Sequence, residues 1–250
     1  MKTCRDTALL FQRYTVQMLR NPVWLFVGFS TPLLYLLLFT PLLKHFSGGS
    51  TSLVLDVFLP GILALLAFAS GVSGGFSTIF ELQTGVIERF RVTPASRLAI
   101  LMGPLLSGLM MVFVFDAVVV AVAAGLGFHI DWGGIGVLVV LLALLMATMC
   151  SFSVATALVT KDISSFAAII NGLNLPVLLL AGVLLPISVG PTWMKVLAHF
   201  NPLYYAVVGA RALCAGQFGS SAVWQAFAVL VPLCLIVVTW ATSVFKKAVS

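Results

Sequence analysis

Six apolar stretches, at about residues 23–43, 57–79, 98–126, 133–159, 165–185 and 222–245, dominate this chain. Each is roughly 20 residues or more, enough to cross ~30 Å of hydrocarbon as a helix. A bilayer offers no water to backbone N–H and C=O groups, so spans of this length are helical. The expected fold class is therefore an all-α integral membrane protein with six transmembrane helices, and six crossings bring both ends of the chain to the same face.

The basic residues orient those crossings. Lys2, Arg5, Arg13, Arg20, Arg89, Arg91, Arg97, Lys161, Lys246 and Lys247 fall on the side of the termini, whereas Lys44, Lys195 and Arg211 fall on the other. Ten against three is the bias that places the richer side in the cytoplasm, and the expected location is a bacterial plasma (inner) membrane with both termini cytoplasmic. Only 8% of the 250 residues are charged, against about a quarter in a soluble domain. The net charge of +6 sits in short juxtamembrane segments that anionic lipid headgroups satisfy, so membrane lipid is an expected partner and nucleic acid is not. Cys4, Cys150, Cys214 and Cys234 form no paired spacing and predict neither a disulfide framework nor a zinc site. The first apolar run starts near residue 23 with no small-x-small pattern before Lys44, so it is expected to be retained rather than cleaved.

One transmembrane domain is expected over 1–250. Residues 1–21 are a leader in which Phe11, Tyr14 and Met18, flanked by Leu10 and Leu19, share a helical face opposite Lys2, Arg13 and Arg20, with Leu9 and Val16 as exceptions. That pattern predicts a basic amphipathic helix in the interface. Residues 22–185 hold spans one to five. Asn21-Pro22, Thr93-Pro94 and Asn201-Pro202 each read as a helix start. In the inner segment 81–97, Leu82, Val86 and Phe90 recur every four residues, with Glu81, Glu88, Arg89 and Arg91 around them. This predicts a short charged helix, and the residues alone leave open whether it docks a partner or is a plain interfacial turn. Segment 186–221 is too apolar for a solvated loop and predicts two short helices forming a re-entrant hairpin; span six and a cytoplasmic tail fill 222–250.

Small residues at Ala67, Gly71 and Gly75, and at Ala143, Ala147, Ser151 and Ala155, predict close helix packing. Asp116 lies well inside span three, where an acid costs ~2.5 to 3.5 kcal/mol; it is read either as a pathway or proton-relay residue or as a neutral or hydrogen-bonded acid between helices. Asn171 and Asn174 sit three apart on span five and Pro176 bends the helix after them. His45, His129 and His199 show no metal-ligand spacing, and no metal site is expected. No phosphate-binding loop or catalytic signature occurs, so the chain is not expected to be an enzyme, and Val72-Ser73-Gly74-Gly75-Phe76 lies inside span two, away from nucleotide.

Several runs carry a resemblance. Leu59-Pro60-Gly61, the stretch Gly85-Val86-Ile87-Glu88-Arg89-Phe90-Arg91-Val92-Thr93-Pro94, Leu184-Leu185-Pro186 with Pro191-Thr192-Trp193, and Asn201-Pro202-Leu203-Tyr204-Tyr205 with Arg211 together resemble the type-2 ABC transporter permease family, most of all permeases of daunorubicin-resistance-type exporters. The likeness covers nearly the whole chain. It implies a permease paired with a second permease copy, expected to be a homodimer, and driven by separate ATP-binding cassette ATPase subunits that carry ATP and magnesium. It implies that Glu81, Glu88, Arg89, Phe90 and Arg91 couple to the ATPase. By location it nominates Phe76, Asn171, Asn174, Leu179 and Leu180 for the substrate pathway, with Asp116 a further candidate. The expected function is export of amphipathic drug-like or lipid-like compounds, as in antibiotic resistance. Export of a glycolipid or polysaccharide is the alternative, and a proton-coupled transporter using Asp116 or a lipid-modifying enzyme are rivals of other classes.

Overall fold

Caps and prolines mark where this chain enters and leaves its helices. The computed structural model describes residues 2–44, 51–85, 97–128, 132–183, 187 and 190–249. Within them the chain forms α1 (Lys2–Leu19), α2 (Pro22–Lys44), α3 (Thr51–Gln83), α4 (Arg97–Gly125), α5 (Ile135–Thr160), α6 (Ile163–Ala181), α7 (Thr192–Ala198), α8 (Pro202–Cys214) and α9 (Ser221–Val249), with no strand among the described residues. Six of these, α2 to α6 and α9, are long and apolar enough to cross a membrane, which makes the chain an all-helical multi-pass membrane protein.

The junction of α5 and α6 is closed by two residues. Lys161 takes the left-handed conformation, φ 53°, and Asp162 is the N-cap of α6, its carboxylate accepting from the Ser165 amide at 2.8 Å and the Ser164 hydroxyl at 2.5 Å. Those bonds hold the Asp162 carboxyl down to about 2. The cap's contribution is therefore fully present above the ordinary carboxylate range and is lost as pH falls through about 2. At the other end of α6, Gly182 takes φ 67° and terminates the helix in a left-handed cap.

The centre of the bundle is α3. Of its spanning residues 72% are buried, against 11% in α6 and 17% in both α2 and α9. Its most extensive contact is with α5, and the glycines explain how close that contact is. A Cβ on Gly71 would lie 2.7 Å from Met149 Cβ and 2.8 Å from the Met146 carbonyl oxygen, and one on Gly75 would run into Ser153 and Phe166. In return, Ser153 Oγ donates to Val72 O at 2.6 Å and accepts from the Gly75 amide at 3.2 Å. The expected α3 ridge is thus used. Its partner surface on α5 runs along Met146, Met149, Cys150 and Ser153, where Ser153 supplies an interhelical hydrogen bond, while in the expected small-residue row Ala143, Ala147 and Ser151 are half-buried and Ala155 is buried.

The outward faces of α2, α6 and α9 carry large apolar side chains, among them Phe26, Leu38, Leu175, Leu179, Leu235 and Ile236. Such faces suit lipid or another apolar helix.

The inner segment differs from its expected form. Helix α3 continues to Gln83 and ends in a Thr84-Gly85 turn with φ 69° at Gly85, so Glu81 and Leu82 belong to the last turn of α3, not to a separate short helix. Residues 86–96 lie outside the described residues, and with them Val86, Glu88, Arg89, Phe90, Arg91 and the Thr93-Pro94 start; His45 and His129 lie outside them also. Span five ends at Ala181, earlier than 185, because Gly182 stops the helix before the apolar run does. The segment after α6 contains two short helices, α7 and α8, as expected.

Helix α8 starts as its sequence predicts: Asn201 Oδ1 accepts from the Leu203 amide at 3.0 Å and Pro202 occupies the first turn. The same side chain donates from Nδ2 to Val177 O on α6 at 2.6 Å. Asn201→Ala therefore loses a cap and a tether between helices. The expected cost is about 2 kcal/mol, read as a lower midpoint in thermal unfolding of the detergent-solubilised protein, with Asn201→Ser, which keeps a capping oxygen but is too short to reach Val177 O, recovering about half.

Candidate functional site

Two regions gather polar side chains, one at each end of the bundle. At the end that carries the termini, α1 lies along the start of α4. A Cβ on Gly103 would sit 2.7 Å from Leu10 Cβ, and Thr15 Oγ1 and Ser107 Oγ are 3.2 Å apart. The Leu10 and Tyr14 side chains of α1 are buried against the bundle, while Leu9, Val16 and Leu19 are exposed. Tyr14 Oη donates to Glu81 Oε1 at 2.5 Å, across 67 residues of chain. Burial first, and then the charge of Glu81, pushes the Tyr14 phenol far above its ordinary value, so it stays a donor. Arg13 lies over the Tyr14 ring at 5.6 Å. A cleft of about 80 Å³ behind this bond is edged by the α3 hydroxyls Ser70, Ser73, Ser77 and Thr78, and by Phe245 near the end of α9.

Helix α1 therefore bridges two spans: the last turn of α3 through Tyr14–Glu81, and the first turns of α4 through Leu10–Gly103 and Thr15–Ser107. Of the five coupling candidates, Glu81 is in this junction and Glu88, Arg89, Phe90 and Arg91 are outside the described residues. Tyr14 is the residue that sequence reasoning assigned only to an apolar face. The signal for its second role was an aromatic hydroxyl on the buried side of a basic helix, a group that seeks a hydrogen-bond partner when covered.

Towards the other end, a cavity of about 520 Å³ lies among α3, α5, α6 and α9 and beneath the α7–α8 pair. Its walls are mainly apolar, with Phe68, Val72, Met149, Phe152, Leu173 and Ile236, and its polar groups are Thr148, Asn174, His199 and Tyr205. Tyr205 Oη donates to His199 O at 3.1 Å, and His199 Nδ1 lies 2.6 Å from Lys195 O, so the polar roof is internally bonded.

Arg211 on α8 fastens this end. Its Nε donates to Val57 O on α3 at 2.9 Å and its Nη2 to Gly182 O at 2.7 Å, with Val183 O at 3.4 Å. Burial draws the guanidinium down to about 10, which leaves it charged at neutral pH. One planar fork thus satisfies carbonyls where α6 ends and where α3 begins, a geometry that a guanidinium provides and an ammonium does not.

The pathway candidates do not form one group. Asn174 lines the cavity, whereas Asn171 is exposed on the outer side of α6 along with Leu179, and Leu180 is half-buried. Phe76 packs edge-on against Phe166, ring centroids 4.8 Å apart, at the start of α6. Asp116 is buried elsewhere, in a separate cavity between α4 and α5. The roles of His199, Tyr205 and Arg211 were not visible from spacing, since they depend on how α7 and α8 fold back over α3 and α6.

Comparison with known proteins agrees with this architecture. Residues 5–214 match the family model described as ABC-2 type transporter. The chain is 31% identical over 215 residues to the transport permease named ycf38 of Cyanophora paradoxa, covering 84% of this chain and 74% of that one. It is 29% identical over 203 residues to the daunorubicin resistance ABC transporter permease protein DrrB1 of Streptomyces coeruleorubidus, covering 79% of this chain and 71% of that one. The ycf38 permease of Porphyra purpurea is 29% identical over 219 residues, 83% of this chain and 73% of its own length. A family match over most of the chain, six membrane-length helices and a leader helix bound to the bundle have one reading: this protein belongs to the ABC-2 type transporter family, as a multi-pass transport permease subunit.

Proposed function

We propose that this chain is the membrane subunit of an ATP-driven exporter for amphipathic drug-like or lipid-like compounds, working as a homodimer with two ATP-binding cassette subunits docked on its cytoplasmic face. The observation that carries the reading is the α1 junction. In a permease driven by a separate motor, some element must convert movement at the cytosolic face into movement of the spans, and α1 is bonded to both flanks of segment 86–96. With both termini cytoplasmic, as the basic residues favour, closure of the ATPases presses on α1 and on Glu88, Arg89, Phe90 and Arg91. The Tyr14–Glu81 and Thr15–Ser107 contacts then pass that load to α3 and α4. ATP and magnesium belong to the partner.

The apolar cavity under α7–α8, with a few polar groups at its rim, suits a mostly hydrophobic solute. Asn171, Leu175 and Leu179, on the exposed side of α6, are the residues we assign to the dimer-facing wall of the pathway. The drug-like substrate is favoured by the similarity to a daunorubicin resistance permease. Pumping by the purified chain alone, in liposomes without any nucleotide-hydrolysing subunit, would overturn the whole proposal; ATP-dependent efflux only with the ATPase present supports it.

Two measurements address the parts separately. Phe90→Ala is expected to leave insertion intact and to reduce recovery of the ATPase in co-purification about ten-fold, in line with loss of ~1.4 kcal/mol or more of docking energy; unchanged recovery removes Phe90 from the docking surface. Leu179→Cys is expected to form an intermolecular disulfide under mild oxidation in membranes, whereas Val140→Cys on the outward side of α5 is not; the opposite pattern places the dimer axis away from α6.

A further inference from the structure

A second cavity, of about 410 Å³, lies between α4 and α5, with Leu59 and Leu63 of α3 and Cys214 of α8 also lining it, and shares no lining residue with the cavity under α7–α8. Ala117, Ala121 and Ala124 on α4 and Val139 on α5 edge it, and all four are exposed on the bundle surface, so the cavity opens sideways. Asp116 lines this cavity. Its residue is 7% exposed, and neither carboxyl oxygen has a hydrogen-bond partner among the described residues.

The two observations belong together. An acid buried in apolar surroundings without a partner is costly, and here it borders a space large enough for a ligand. A small-residue edge at positions 117, 121 and 124 leaves that space open to the bilayer instead of filling it. The occupant has to bring the missing partner with it, on an otherwise aliphatic body. An amine does this best: as an ammonium it donates a charge-assisted bond to the carboxylate, roughly twice as strong as the neutral bond an alcohol provides. Asp116 lies nine residues before the end of α4 at Gly125, so it is about 13 Å along the axis from that end. A phospholipid ammonium, fixed outside its own phosphate, does not reach so deep. A single-chain amine does.

We propose that the lateral groove between α4 and α5 is a binding site for lipophilic amines, with Asp116 as the residue that receives the amino group.

The site is tested on the chain reconstituted without its ATPase, in phosphatidylcholine nanodiscs, so that the outcome does not depend on whether the protein proves to be an exporter. The probes are dodecylamine and dodecanol, each carrying a mid-chain diazirine, with labelled peptides mapped after irradiation. The amine is expected to label α4 and α5 around 113–142 at least about ten-fold more in the wild type than in Asp116→Ala, and the alcohol to label both alike. Asp116→Asn, which keeps the shape, is expected to lose amine labelling as Asp116→Ala does. Equal amine labelling of wild type and both variants overturns the proposal. Should neither variant fold, judged by its melting temperature, competition on the wild type decides. Displacement of the amine probe by unlabelled dodecylamine and not by dodecanol supports the site. Equal displacement by the two, or displacement by phosphatidylethanolamine added to the nanodisc, overturns it.

Discussion

Gly75→Leu is expected to separate α3 from α5 and to destabilise the protein by about 3 kcal/mol or more. Even a methyl group at this position meets Ser153 and the Phe166 ring, and the Ser153 carbonyl oxygen lies 2.7 Å from where it would be. Backbone cannot yield as a flexible side chain does, so α5 must move. Moving it breaks the Ser153 bonds to Val72 O and the Gly75 amide, which no water replaces in the bilayer. The measurement is the thermal midpoint in detergent and the yield of inserted protein. The control is Gly172→Leu on α6, where a Cβ would meet nothing within 4 Å; it is expected to change stability within about 0.5 kcal/mol. Equal behaviour of the two variants would show that α3 and α5 do not pack through this glycine.

Arg211→Ala is expected to cost about 2 to 3 kcal/mol and to loosen the end of α6. The loss follows from the carbonyls it leaves behind: Val57 O and Gly182 O each give up a bond to a charged donor, worth ~1.5 to 3 kcal/mol, while relief of the buried guanidinium's own desolvation returns part of it. Arg211→Lys keeps the charge but has no fork, so it is expected to recover less than half. Thermal melting gives the stability. The reactivity of a cysteine at Leu180, half-buried in the last turn of α6, gives the loosening: it is expected to rise in Arg211→Ala. A lysine variant as stable as wild type would mean that charge alone, not bidentate geometry, holds α6 to α3.

Much of the scaffold is legible in the sequence, and the reason differs from element to element. The six spans were readable because a bilayer makes apolar length and internal hydrogen bonding compulsory. Asn201-Pro202 was readable because a cap acts on amides two residues away, within reach of local sequence; its second bond, to Val177 O, joins residues 24 apart and was not. The boundaries missed at α3 and α6 have one cause. Helices end where a glycine turns left-handed, at Gly85 and Gly182, and not where hydropathy declines.

Site residues divide in the same way. Asn171 and Asn174 are three apart on one helix and were read as one pair, yet a helix only 11% buried turns one towards the cavity and leaves the other outside. Glu81 was singled out for its charge. That its partner is Tyr14, rather than a distant cation, follows from α1 lying across α3 and α4, which no periodicity encodes.

What the amino-acid order decided by itself is what acts along the chain: six membrane-length helices, the side of the bundle on which basic residues gather, the helix start at Asn201 and the small-residue ridge on α3. What tertiary structure alone decided is which groups meet across it: Tyr14 with Glu81, Ser153 with Gly75, Arg211 with the ends of α3 and α6, and Asp116 with no hydrogen-bond partner among the described residues. In an apolar medium each polar group is worth little or much according to whether another lies within about 3 Å of it, and that distance belongs to the packing of helices, not to their sequence.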